Sequence, residues 1–306
     1  MSSVILSLLI FSASIPANFG CETSEFWLVR YSVTYNSTYK PTFLSSTITT
    51  TSGEGIDVVN EFIPRLCCAM INFTQELNFV NFNRCGIEEI EDCFSENIRD
   101  VKDKLKIVNN RIATIKTNTF KNLSSQFIFL DHNSITRIED AAFNHLPNLV
   151  QLRLNNNHLK ELNPSAFKET PKLRTLILHC NDIVYLQENA FGFVQQPHRL
   201  ISLTSNDISN LDRHFLKDLS PQIPLHLVLT NNNIKRLDKD IFANHVLTVL
   251  ELGYNPLVKI DTDFCSRNYT IARFTFECEY LDNKSANFLF EWLKMYEVDF
   301  VTGKCP

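Results

Sequence analysis

Leu149-Val150-Gln151-Leu152-Arg153-Leu154-Asn155-Asn156-Asn157-His158-Leu159, followed by Leu162 and Phe167, decides how this chain folds. Leu152 and Leu154 stand five and three places before Asn157, and Leu159 and Leu162 stand two and five places after it. The same offsets carry apolar residues around Cys85, Asn110, Asn133, Asn181, Asn206, Asn232 and Asn255. Taken with Asn157, these positions are 25, 23, 24, 24, 25, 26 and 23 residues apart. A fixed period of this size means a stacked array, because one unit alone cannot bury its apolar face. The copies in phase run over residues 77–264.

Alternate residues of a strand point to opposite faces, so the residues five and three before the ladder position face the core. Those six, four and two before it face the other way. Strands stacked at about 4.8 Å give eight copies a parallel sheet roughly 40 Å long. The asparagine amide both donates and accepts, and so serves backbone groups of adjacent turns that burial would leave unpaired. Cys85 departs from this chemistry as a small, weakly polar side chain suited to a buried turn. A second column, Phe94, Phe120, Phe143, Phe167, Phe191, Phe215, Phe242 and Phe264, fills the other half of the core. Burying each ring is worth roughly 1.5–3 kcal/mol. Eight places before the ladder, Lys102, Ser125, His198 and Pro224 replace leucine, which predicts looser packing where the chain enters those repeats.

The pattern resembles the L-x-x-L-x-L-x-x-N-x-L of the typical extracellular leucine-rich repeats. Asn255-Pro256-Leu257 resembles the tripeptide that often precedes a C-terminal cysteine cap in that class. The resemblance implies an α/β solenoid: a curved array of about eight repeats of ~24 residues. Its parallel sheet lies on the concave face, with cysteine-bearing N- and C-terminal caps. The short form with a cysteine-bearing N-cap and Phe-rich repeats is similar to the leucine-rich immune proteins of arthropods, without the coiled coil of their complement-linked members.

The flanks read differently from the repeats. Residues 1–20 resemble a secretory signal, with a short apolar run from Val4 to Phe11 and cleavage after Ala17 or Gly20. Residues 21–76 form the expected N-terminal cap. Trp27, Val29, Tyr31, Val33 and Tyr35 alternate loosely, as a strand or hairpin does, and residues 42–53 are a Ser/Thr-rich loop. Residues 265–306 form the expected C-terminal cap. A helix N-capped by Ser285 would lay Phe288, Leu289, Trp292, Leu293 and Tyr296 over the end of the core. It resembles the family's C-terminal cap, with Tyr280 where that cap's C-x-C motif has its second cysteine. Asn36, Asn72, Asn122, Asn268 and Asn283 are N-x-S/T glycan acceptors, none on an expected strand.

Nine cysteines suit an oxidising compartment. Cys278–Cys305 is the first choice of bridge, with Cys265 as an alternative partner. Cys21, Cys67, Cys68, Cys85 and Cys93 supply two bridges at the N-cap, the adjacent Cys67 and Cys68 pairing elsewhere than with each other. Nine is odd, so one thiol is left over, and Cys85 and Cys180 are the candidates. Cys180 stands far from either cap, as a buried or free thiol or as the link of a disulfide-bonded dimer.

Function is expected in the three outward columns. Phe127, Phe129, Asp131, Arg153, Asn155, Ile177 and His179 form the candidate concave ligand site, because aromatic residues beside an arginine are the composition of an interface hot spot. The competing reading is scattered apolar exposure with an Asp131–Arg153 surface pair. No catalytic motif occurs, and His132, His179 and His226 lie two repeats apart, about 10 Å and too far for one metal. No cofactor, metal or enzyme activity is expected. A net charge of −5 and a pI near 5.9 argue against nucleic acid, and no later run of 18 apolar residues argues for a membrane span. The reading is a secreted protein-binding module recognising another protein or a microbial surface, in innate immunity. The alternative is a structural extracellular-matrix or adhesion protein.

Overall fold

The computed structural model describes residues 31–32, 48–50, 55–60, 63–66, 71–73, 77–92, 94–242, 245–261, 264 and 271–302. The expected signal segment and Cys21, Cys67, Cys68, Cys93, Cys265 and Cys305 lie outside the described residues, as do Asn36 and Asn268. The chain divides into two compact units, Met1–Leu149 with Ala166–Thr170, and Val150–Ser165 with Pro171–Pro306.

In the first unit, β1 (Tyr31–Ser32) pairs antiparallel with β2 (Gly55–Val59). From β2 the order is parallel and sequential: β3 (Leu77–Asn83), β4 (Val101–Val108) and β5 (Phe127–Phe129). A short helix, α1 (Phe94–Asn97), joins β3 to β4 on the other side of the core. In the second unit the order is again parallel and sequential. It runs β6 (Gln151–Arg153), β7 (Thr175–Ile177), β8 (Arg199–Ser202), β9 (Leu225–Val228), β10 (Leu247–Glu251), β11 (Ile271–Phe276) and β12 (Asp299–Thr302). Each unit is a parallel-sheet solenoid.

The stack has more turns than the asparagines mark. Ile56 and Val58 pair in register with Val80 and Phe82, and Leu66 with Ile90. The segment expected as a cap therefore holds a turn of its own. The Ser/Thr-rich stretch expected as a loop contains Ile48–Thr50, which pairs in parallel with Ile71–Phe73. β-branched residues favour extended backbone, and that outweighs their polarity here. Asn72 consequently lies on a strand, contrary to the expectation for the glycan acceptors.

The ladder works through shared carbonyls. Asn206 Oδ1 accepts from Ile183 N at 3.1 Å, and its Nδ2 donates to Leu178 O at 3.1 Å and Leu203 O at 2.9 Å. Leu178 O and Leu203 O also accept from Asn181 and Asn232 Nδ2, each at 3.0 Å. A carbonyl has two lone pairs, so one asparagine fills each. Asn255 closes the ladder: it serves Ile234 N and Leu252 O, each at 3.0 Å, and among the described residues no later asparagine donates to Leu252 O. Asn255→Ala should therefore cost more than Asn206→Ala, about 3–4 against about 2 kcal/mol in urea unfolding, because two groups rather than one lose their partner. At the other end Cys85 is fully buried, and its Sγ donates to Val58 O at 3.4 Å. A thiol has no amide oxygen to offer, and Ile63 N instead donates to the Cys85 carbonyl at 2.7 Å.

The residue before each ladder position has a positive φ. Arg84, Asn109 and His132 take φ of 56°, 55° and 56°, and Asn156, Cys180, Ser205, Asn231 and Tyr254 take 55° to 56°. This left-handed step turns the chain out of its strand, and asparagine tolerates it best among residues with a side chain.

Of the four entrances expected to be loose, the one at Lys102 is irregular, with the register of β4 shifting against β3 between Leu77 and Phe79, and the other three are filled. Ser125 is buried, with Oγ donating to Val101 O at 2.8 Å. His198 and Pro224 are passed over: Arg199 pairs with Leu225, and Leu225 with Leu247, so the neighbouring residue takes the leucine slot. Arg199 is thereby carried into the core, 2% exposed.

α2 (Asn283–Met295) closes the second unit, but Ser285 is not its N-cap. Asp282 Oδ1 accepts from Ser285 N at 2.7 Å, and that bond holds the Asp282 carboxyl below its usual pKa. Ser285 is buried one turn in, where its Oγ accepts from Ile260 N at 3.0 Å and donates to Ile260 O at 3.3 Å. Leu289, Trp292 and Leu293 are buried, and Trp292 packs on Phe264 at 5.5 Å. Tyr296 is exposed at the helix end, so the expected apolar face is one residue shorter.

Candidate functional site

In the first unit, Phe127 and Phe129 stand on the strand face because Ile128 between them is fully buried. Both are half-buried, with ring centroids 6.3 Å apart. Their register partners on β4 are Lys104 and Lys106. Lys104 Nζ lies 5.6 Å from the Phe127 ring and Lys106 Nζ 5.8 Å from the Phe129 ring. These lysines of the preceding strand are not among the candidate residues chosen from sequence. One strand earlier, Phe79 covers Gly55 so closely that a Cβ there would meet its ring at 2.5 Å. Asn81 Nδ2 donates to Asp57 Oδ1 at 2.6 Å. Asp131, at the end of the Phe127–Phe129 row, is only 8% exposed.

In the second unit, Arg153, Ile177 and His179 are half-buried on the strand face, and Asn155 is buried. This face is mostly neutral through Thr175, Ser202 and Thr204, and becomes charged at His226, whose Nε2 is 3.0 Å from Glu251 Oε1. Cys180 is an exposed free thiol, its backbone N donating to Thr204 O at 2.9 Å. Cys278 is buried and disulfide-bonded, and its other half lies outside the described residues. Of the two glycan acceptors whose side chains are described, Asn122 and Asn283 are both exposed. Among the described residues no group of three His, Cys, Asp or Glu is placed to hold a metal ion, and no helix is long and apolar enough to cross a membrane.

Three overlapping stretches, residues 103–159, 126–183 and 147–196, match the leucine rich repeat family model. Together with the parallel solenoid, this gives the chain a leucine-rich repeat fold. Solved structures share the fold. The TLR13–ssRNA13 complex aligns at 22% identity over 68% of this chain and 32% of that one, with a TM-score of 0.58. Toll, in the Toll–Spatzle complex of Drosophila development and innate immunity, aligns at 15% identity over 81% and 34%, also with a TM-score of 0.58. Human 5T4, the Wnt-activated inhibitory factor 1 or trophoblast glycoprotein, aligns at 24% over 80% and 84%, with a TM-score of 0.55. The chain thus spans about a third of the TLR13 and Toll chains it matches. Among curated proteins none matches.

Proposed function

We propose that this chain is a secreted, non-enzymatic module that binds another protein, or a microbial surface, through its strand face, in innate immunity. The observation that supports it most is the Phe127–Phe129 pair. The core does not need these rings, yet they stand together on a face flanked by cations, which is the composition of a binding hot spot. The fold supports the reading because each turn offers three outward positions that leave the core untouched. Secretion rests on the apolar segment at residues 4–11 and on the nine cysteines.

The test is capture of binding proteins from body fluid by the secreted chain, compared with a Phe127→Asp/Phe129→Asp double variant of equal melting midpoint. Loss of a captured protein, with at least tenfold weaker affinity, is expected. Unchanged capture would remove the reading. Recovery of the natural protein from tissue only with denaturant would point to a matrix role instead. Non-reducing gels of wild type and Cys180→Ser examine disulfide-linked pairing: identical mobility would exclude it.

A further inference from the structure

Lys104 and Lys106 alternate on β4, and Phe127 and Phe129 alternate beside them on β5. The strand face therefore carries a row of two ammonium groups next to a row of two phenyl rings. Both rows repeat every second residue, roughly 6.6–6.8 Å. Each ammonium lies within the ~6 Å reach of a cation–π contact. A ring face still leaves the three N–H donors of an ammonium without a full acceptor. The acids of this face do little to supply one. Asp57 is engaged by Asn81, and Asp131 is only 8% exposed. Asp103 sits 3.0 Å from Lys104, whose side chain stays 40% exposed. Among the described residues Lys106 has no carboxylate partner. On a chain of net charge −5 this is a local reversal of sign.

We propose that this platform takes an extended acidic segment of a partner protein, with glutamate at alternate positions. The proposal rests on the protein-binding reading above and names the chemistry of the partner. Alternate side chains of an extended segment repeat at the same spacing as the two rows. Laid between them, each facing glutamate sets its carboxylate on a lysine and its methylene stem against a phenyl ring. The stem of aspartate is one carbon shorter and reaches the lysine without covering the ring. The acidity must be local to that segment, because a partner acidic throughout would be repelled by the net negative charge of the chain at low salt. A single-stranded nucleic acid could also set phosphates on lysines and bases on rings. A two-lysine row on an acidic chain is too small an electrostatic footprint to favour it.

The test uses the full chain and three labelled probes in fluorescence anisotropy: a Glu-Thr repeat peptide, its Gln-Thr counterpart and an oligouridylate of equal length. The Glu-Thr peptide should bind, with the Gln-Thr peptide roughly tenfold weaker. Lys104→Gln/Lys106→Gln should lose about the same factor with the melting midpoint unchanged. Added salt should weaken binding to wild type and leave the residual binding of that variant nearly flat. Phe127→Ser/Phe129→Ser should weaken binding without removing its salt dependence. Equal affinity for both peptides, undiminished binding by the lysine variant, or tighter binding of the oligouridylate would overturn the proposal. Failure of the Glu-Thr peptide, with body-fluid capture still abolished by Phe127→Asp/Phe129→Asp, would overturn this assignment alone and leave the protein-binding reading in place.

Discussion

Phe215→Ala is expected to lower the unfolding free energy by about 3–5 kcal/mol, read from denaturant titration. Phe215 is fully buried between Phe191 and Phe242, with centroids 6.4 and 6.2 Å away and rings edge-on at 79° and 71°. Truncation removes apolar area from both neighbouring interfaces and leaves a cavity. The cavity cannot collapse easily, because the ladder hydrogen bonds of Asn206 and Asn232 fix the backbone of the turns on either side. In a linear stack each repeat is held only by its neighbours, so damage in mid-array weakens two junctions at once. Phe215→Leu keeps most of the volume and should cost about 1–1.5 kcal/mol. A loss below ~1 kcal/mol for the alanine variant would show that this column is not core.

The Phe column also shows what spacing alone encodes. Phe120, Phe143 and Phe167 each stand ten places after their ladder residue, and their rings stack at 5.4 and 5.3 Å, within 11° and 5° of parallel. Phe191, Phe215 and Phe242 stand ten, nine and ten places after, and their rings meet edge to face. Equal offsets superpose the rings and unequal ones rotate them. Core and period were therefore legible, because burial at fixed intervals writes itself into residue type.

Three features were not legible, each for a physical reason. The positive-φ column is a property of the backbone, and Arg84, His132, Cys180, Ser205 and Tyr254 share no side-chain chemistry that would mark it. In sequence, the position three places after Val58 is Glu61 and not asparagine, so counting asparagines passes over the turn that Ile56 and Val58 belong to. At the candidate site, Lys106, Phe129 and Arg153 each stand four places before a ladder asparagine. Spacing cannot say which way a long side chain leans, and Lys106 Nζ lies 5.8 Å from the Phe129 ring. The aromatic pair was legible in the sequence, and Lys104 and Lys106 were not singled out there.

Arg199→Ala should also cost about 3–5 kcal/mol, for a reason no repeat consensus contains. Arg199 fills a leucine slot at 2% exposure, and among the described residues its partners are backbone carbonyls. Its Nη2 donates to Ser220 O at 2.8 Å and to Ile223 O, and Nη1 donates to Val194 O at 3.5 Å. Burial lowers its pKa to about 10. Alanine leaves a cavity and strands these carbonyls, each worth about 1–3 kcal/mol when unsatisfied. Arg199→Leu restores the apolar volume found at Leu225 and Leu247 and removes the buried charge, so its cost should be only about 1–2 kcal/mol. The two variants thus separate packing from carbonyl pairing, and equal losses would assign the whole effect to the carbonyls. The pH dependence carries a definite sign. A base whose folded pKa lies below its unfolded one is penalised while charged, and the penalty is constant below pH ~10. It is relieved as pH rises above about 10 toward the ordinary guanidinium range, so the advantage of wild type over Arg199→Leu should grow by about 1 kcal/mol between pH ~9 and ~11. Because other titrating groups are common to both proteins, the difference isolates Arg199. A gap that stayed flat or narrowed over that range would mean that the guanidinium is not desolvated in the folded chain.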